Sequence, residues 1–193
     1  LSGSDVGVCH IIAMPLGNST TTIKVNEGEE AVLAGANEID MVVNIGKVKG
    51  GAWEYVSEEI HNINTTVTDK GGILKVIFEN DYLLDYQIIR LCEICSEHQV
   101  AFVKTSSGYG FVRQENGMYS YKGATDKHLE LMKDYTSSSM QIKAAGRIGT
   151  LDDLLRVRAF GVTRVGATST EKILLEAIGR GFGSANNFDV SKK

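Results

Sequence analysis

Six short runs rich in β-branched apolar residues punctuate this chain at about 6–13, 39–44, 73–79, 100–104, 140–145 and 162–166, and each is followed by a stretch of helical periodicity. Strands alternating with helices across short links imply a parallel sheet, open or closed. Trp53, Val56, Ile60, Ile63 and Val67 fall at steps of three and four, which predicts a helix that Gly71-Gly72 ends. Thr150 with Asp152 and Asp153 predicts one helix start, and Thr168, Ser169 and Glu171 another. Between Gly108 and Gly123 the repetition breaks into an aromatic and polar segment centred on Asn116-Gly117, a strong turn dipeptide. A small β-hairpin is expected there, projecting from a strand-to-helix loop as a lid or as a subunit contact.

With 193 residues and 42% hydrophobic content, the chain can bury one sizeable core, so a single domain over 1–181 is expected, with 182–193 a small, polar, loose tail. A formal net charge of -4 without a run of five like charges argues against a nucleic-acid or membrane partner and for a small soluble ligand. Without a long apolar span or a secretory leader pattern, the chain reads as cytoplasmic. Cys92 and Cys95 form a C-x-x-C, but they extend the stripe of Leu84 and Ile88 and lack a second ligand pair, so they are read as core. Cys9 sits in an apolar run and is read the same way. His10, His61, His98 and His128 fall singly on unrelated elements and receive no role; Trp53 is read as packing.

Chemistry is suggested by ionisable residues placed on strands. Asp40 lies in IDMVVN, Lys75 and Glu79 in ILKVIFE, Lys104 in VAFVK and Lys143 in MQIKAA. An unpaired charge in a buried strand is costly, so each asks for a partner. Alternation puts Asp40, Val42 and Asn44 on one face, and Lys75, Ile77 and Glu79 on one face of the next strand. In a parallel βα barrel such faces converge, and residues near strand C-termini line the active-site mouth. Lys104 and Lys143 hold such positions. Two lysines in a partly dry pocket depress each other's pKa, which leaves neutral amine able to attack a carbonyl, while a carboxylate such as Asp40 keeps one of them protonated. An internal ion-pair network that only joins strands is the other reading of this placement. Gly108, Gly146 and Gly166 follow the strands that carry or neighbour these lysines, and backbone N–H groups at such turns make anion sites.

These residues sit in segments that resemble the deoxyribose-phosphate aldolase family: MPLGNSTTTIK (14–24), NEIDMVVNIG (37–46), LKVIFEN (74–80), FVKTSSGYG (102–110), IKAAG (142–146) and RVGATST (164–170). The resemblance spans most of the chain in the family's order. It implies a (βα)8 barrel of the TIM type and a class I aldolase without a metal or other cofactor. It also implies that Lys104 is the Schiff-base nucleophile, Lys143 the second lysine that tunes it, and Asp40 part of the proton relay. Lys75 becomes a further pocket lysine, Thr105 and Ser107 substrate-lining residues, and Gly108, Gly146, Gly166, Thr168 and Ser169 phosphate-binding positions. The implied reaction is the reversible cleavage of 2-deoxy-D-ribose 5-phosphate to glyceraldehyde 3-phosphate and acetaldehyde.

There are departures from the family pattern. Members commonly read Gly-Gly-apolar-Arg after the second lysine, whereas this chain reads Gly146-Arg147-Ile148-Gly149, so Arg147 must reach phosphate from a new position or crowd the loop. Tyr109 stands where many relatives carry a lysine. Relatives also have two more βα units at the front, and six strands do not close an eight-stranded barrel, so the chain is expected to be a fragment, the other readings being an edge filled by a partner chain or an incomplete relative; an open edge should make the isolated chain associate, as a homo-oligomer, or aggregate. Two other functions remain open on these grounds. One is a catalytically weak barrel that binds a phosphorylated ligand or a protein partner. The other is a lysine-dependent aldolase for a different, unphosphorylated aldehyde.

Overall fold

A computed structural model describes residues 3–182. Its main sheet contains six parallel strands, β1 (Cys9–Ile12), β2 (Glu38–Val42), β3 (Ile73–Ile77), β4 (Phe102–Lys104), β7 (Gln141–Ala145) and β8 (Arg164–Gly166), in the order β1-β2-β3-β4-β7-β8. Each strand falls on its expected apolar run, with β2 starting one residue earlier, at Glu38. The segment between β4 and β7 forms the expected hairpin of β5 (Val112–Arg113) and β6 (Tyr119–Ser120), closed by Gln114 and Met118 with Gly117 at a positive φ of 81°. The proposed tail, apart from Phe182, lies outside the described residues.

Helices α1 (Thr21–Leu33), α2 (Ile45–Lys49), α3 (Trp53–Asp69), α4 (Asp85–Glu97), α5 (Asp126–Tyr135), α6 (Leu151–Ala159) and α7 (Thr170–Gly179) connect the strands. Helix α3 turns Val56, Ile60, Ile63 and Val67 inward, all fully buried, and Trp53 packs at the edge of that core. Helix α6 starts at Thr150, whose hydroxyl accepts from the Asp153 N–H while the Asp153 carboxylate accepts from the Thr150 N–H. This reciprocal cap satisfies donors that a helix start leaves orphaned. Ser169 does precede α7, but its side chain makes no capping bond.

Alternate residues of the strands divide the molecule into two layers. Ile39, Met41, Leu74, Val76, Val103, Ile142 and Ala144 face outward into a core covered by the helices, which includes Cys92 and Cys95. The opposite face carries the charges. The sheet curls so that this second face closes on itself: Arg164 on β8 comes within 3.4 Å of Glu38 on β2, and the Lys143 Nζ on β7 lies 3.8 Å from the Cys9 Sγ on β1. Among the described residues β1 and β8 form the two edges and do not pair.

Two expectations are corrected. Cys9 is not core: strand alternation turns Cys9 and Ile11 onto the charged inner face, while Ile12 enters the apolar layer. His61 and His98 are not isolated, because α3 and the end of α4 bring their rings to 5.0 Å, with the Ser57 hydroxyl 2.7 Å from the His98 Nε2.

Candidate active site

Four strands contribute charge to one point. The Asp40 carboxylate on β2 lies 2.6 Å from the Lys104 Nζ on β4 and 2.7 Å from the Lys143 Nζ on β7 through the same oxygen. Its other oxygen lies 3.0 Å from the Lys75 Nζ on β3 and accepts from the Cys9 thiol at 3.2 Å. Lys75 is also paired at 2.7 Å with Glu38, which takes the more distant Arg164 on its other oxygen. The expected convergence of strand charges is therefore found, with one exception. Glu79 leaves the lysines, because the chain turns at that residue into a positive φ of 58° and aims the carboxylate at Ser107.

The three lysines are not equivalent. Burial drives the Lys104 ammonium toward the neutral amine and Lys143 reinforces this, so its pKa lies below the ordinary lysine value despite Asp40. Burial also works against the Lys75 cation, but Asp40 and Glu38 outweigh it and hold Lys75 above that value. For Asp40, burial alone would favour the protonated acid; Lys104 and Lys143 reverse this and keep the carboxyl well below the usual carboxylate range. The Cys9 thiol is pushed up by burial and by Asp40, which makes it a thiol donor rather than a thiolate.

Over this cluster opens a cavity of about 480 Å³. Lys104, Lys143 and Asp40 form its floor. Ser107, Gly108, Gly146, Arg147, Gly166 and Thr168 lie on its walls, as the sequence reading expected. Three expected residues are not on the wall. Lys75 is fully buried beneath Asp40. Thr105 is also fully buried, and its hydroxyl donates to the Ala145 carbonyl and accepts from the Ala145 N–H, tying the end of β4 to β7. Ser169 stays with the start of α7.

Arg147 occupies a positive φ of 56°, donates through Nε to the Tyr121 carbonyl at 2.6 Å, and lays its guanidinium over the Tyr121 ring at 5.3 Å. Its Nη groups remain as donors for an anion. Tyr109, which the resemblance set at the position of a phosphate-facing lysine, is on the wall, and Tyr121, Cys9 and Ile11 are wall residues that the sequence reading did not place in the site. The aromatic break after β4 was the available signal for Tyr121, and strand period for Cys9.

No family model matches the chain. Individual proteins do. A deoxyribose-phosphate aldolase of Rhodopirellula baltica is 44% identical over 177 residues, covering 92% of this chain and 69% of its own length. Another from Treponema denticola is 39% identical over 169 residues, covering 88% and 74%. Among solved structures, the aldolase QR15 aligns with a TM-score of 0.83 at 32% identity over 93% of this chain and 76% of its own. The tetrameric deoxyribose phosphate aldolase of Aeropyrum pernix aligns with a TM-score of 0.77 at 25% identity, over 90% and 68%. Identity at this level over most of both chains, together with a curled βα sheet that focuses lysines on one aspartate, means that this chain belongs to the deoxyribose-phosphate aldolase family.

Proposed function

We propose that the chain is a class I aldolase that cleaves 2-deoxy-D-ribose 5-phosphate reversibly into D-glyceraldehyde 3-phosphate and acetaldehyde, with Lys104 as the amine. The observation that carries this reading is the asymmetry among the lysines: the buried one at the cavity floor is the one driven toward neutrality. A neutral amine is the nucleophile that a carbonyl requires.

Lys104 adds to the C1 aldehyde, and loss of water forms an iminium. A proton leaves the C3 hydroxyl, the C2–C3 bond breaks, and its electron pair moves into the iminium to give an enamine. Glyceraldehyde 3-phosphate departs. Protonation of the enamine at C2 and hydrolysis release acetaldehyde and Lys104. Asp40 and Lys143, 2.7 Å apart beside the amine, provide the relay for these protons. Lys75 stays charged below them and fixes Asp40. The turns at Gly108, Gly146 and Gly166, with Thr168 and the Nη groups of Arg147, receive the phosphate. Self-association is part of the proposal, supported by the tetrameric assembly of the deoxyribose phosphate aldolase of Aeropyrum pernix.

Borohydride reduction in the presence of acetaldehyde is expected to add one reduced adduct to the mass of the native chain and none to a folded Lys104→Ala variant. A folded native chain that gives no adduct would sink the proposal. Equal turnover of 2-deoxyribose with and without its phosphate would instead reject the phosphate assignment and favour an aldolase for unphosphorylated aldehydes.

A further inference from the structure

Among the described residues, buried Glu79 has no cationic partner in direct contact. It sits two residues past β3 in left-handed backbone, a conformation that a residue with a side chain keeps only when its surroundings impose it. Its carboxylate takes three hydrogen bonds, all from Ser107: the backbone N–H at 3.1 and 3.2 Å, and the hydroxyl. The neighbouring backbone fixes the same geometry, since the Asn80 N–H donates to the Thr105 carbonyl at 3.0 Å. On the far side of the loop, Gly110 packs so closely that a Cβ there would lie 2.4 Å from the Glu79 Cδ. The carboxylate thus bonds the start of the 107–110 turn and lies close against its end, three residues after the lysine proposed as nucleophile.

The grip decides what Ser107 can offer the cavity. A hydroxyl has one proton to donate. Here that proton goes to Glu79, and the oxygen also accepts from the Tyr109 N–H at 3.0 Å. What remains for a bound molecule is a lone pair.

We propose that Glu79 is a positioning residue that holds the 107–110 turn against the end of β3 and presents Ser107 to the substrate as an acceptor, selecting a hydroxyl donor on the sugar rather than the phosphate. This rests on the aldolase reading. Burial raises the Glu79 pKa, with Asp81 adding to it, while the Ser107 bonds and, after them, the charge of Lys104 counter it.

Two measurements on Glu79→Gln test it. A glutamine keeps only one acceptor oxygen: either that oxygen takes both Ser107 groups and the NH2 is turned against the Ser107 N–H, or the NH2 donates to the hydroxyl oxygen and frees the hydroxyl proton toward the cavity, and both arrangements loosen the grip. Turnover per KM on 2-deoxyribose 5-phosphate is expected to fall about tenfold or more, the scale of one mismatched hydrogen bond. The acetaldehyde adduct on Lys104, which involves no sugar hydroxyl, should form as in the native chain. Ser107→Ala, with Glu79 intact, should reproduce that separation. Adduct formation and sugar turnover falling together would overturn the proposal, because that is the signature of a general structural defect; unchanged sugar turnover in Glu79→Gln would overturn it equally. Amide hydrogen exchange across 106–110 reads the grip without turnover and should quicken about tenfold or more in Glu79→Ala. If the native chain forms no adduct, the aldolase reading fails and exchange alone judges the grip; unchanged exchange would then refute it.

Discussion

Three ammonium groups cannot share one buried carboxylate on equal terms. Around Asp40 stand Lys75, Lys104 and Lys143, and the second nearby carboxylate, Glu38, reaches only Lys75. Positive charge is in excess, the more so because Arg164 shares Glu38, and Lys104 is a cation that burial and Lys143 both disfavour. Protonated Lys104 cannot attack, so turnover per KM should fall as pH drops through the Lys104 pKa. Replacing Lys143 with Met removes a neighbouring cation, eases protonation of Lys104 and should move this acid limb to higher pH, whereas Lys143→Arg should leave it in place. A pH–rate profile in which both variants match the native limb would remove Lys143 from the tuning role. At this scale much was legible, because a charge on a strand is anomalous by itself and alternation shows which way it faces. Cys9 was missed since a thiol in an apolar run carries no such anomaly. The destination of Glu79 was missed because strand period applies only while the chain remains a strand, and it leaves that geometry at Glu79.

The hairpin illustrates what an element's pattern reveals and what it does not. Asn116-Gly117 between short extended runs gave its existence, and the structure gives its attachment. Tyr82 donates to the Phe111 carbonyl at 2.8 Å, the Asp81 carboxylate accepts from the Gly123 N–H at 2.9 Å, and Arg147 holds the Tyr121 carbonyl. All three anchors come from loops beyond other strands, so no local pattern records them. At the base, Gly123 with φ of 70° meets Gly146 of the proposed phosphate turn, and a Cβ on Gly123 would lie 2.5 Å from the Gly146 carbonyl oxygen. Gly123→Ala must therefore push the hairpin and the phosphate turn apart. It should cost about 1–3 kcal/mol of stability in urea titration, the usual penalty of overpacking against backbone. KM for the phosphorylated sugar should rise while the acetaldehyde adduct on Lys104 persists. Unchanged stability and KM would show that the two loops are not mechanically joined.

For the molecule as a whole, the order of strands and helices was readable from periodicity, but the curl that brings Arg164 to Glu38 across 126 residues was not, because it arises from strand twist and helix packing together. One buried pair fastens that assembly. Lys24 of α1 and Glu59 of α3, both fully buried, meet at 2.9 Å just beyond the end of β2. Burial pulls the Lys24 pKa down and pushes the Glu59 pKa up, each toward its neutral form, so mutual attraction does not fully offset desolvation. The pair nevertheless completes the backbone: Lys24 donates to the Val42 carbonyl at 3.0 Å and Glu59 accepts from the Asn44 N–H at 3.2 Å, where the strand has run out of neighbours on that side. Lys24→Met should then cost about 3–5 kcal/mol by stranding a carboxylate, and Glu59→Leu a similar amount by stranding an ammonium. The double variant strands no charge but leaves the Val42 carbonyl and Asn44 N–H unpaired, which retains a penalty of about 1–3 kcal/mol. Equilibrium urea unfolding of the four proteins should therefore show strong coupling with incomplete recovery. Full recovery would mean that the two backbone groups find other partners; additive losses would mean that the pair does not act as a unit in fastening α1 and α3 to the strand that carries Asp40.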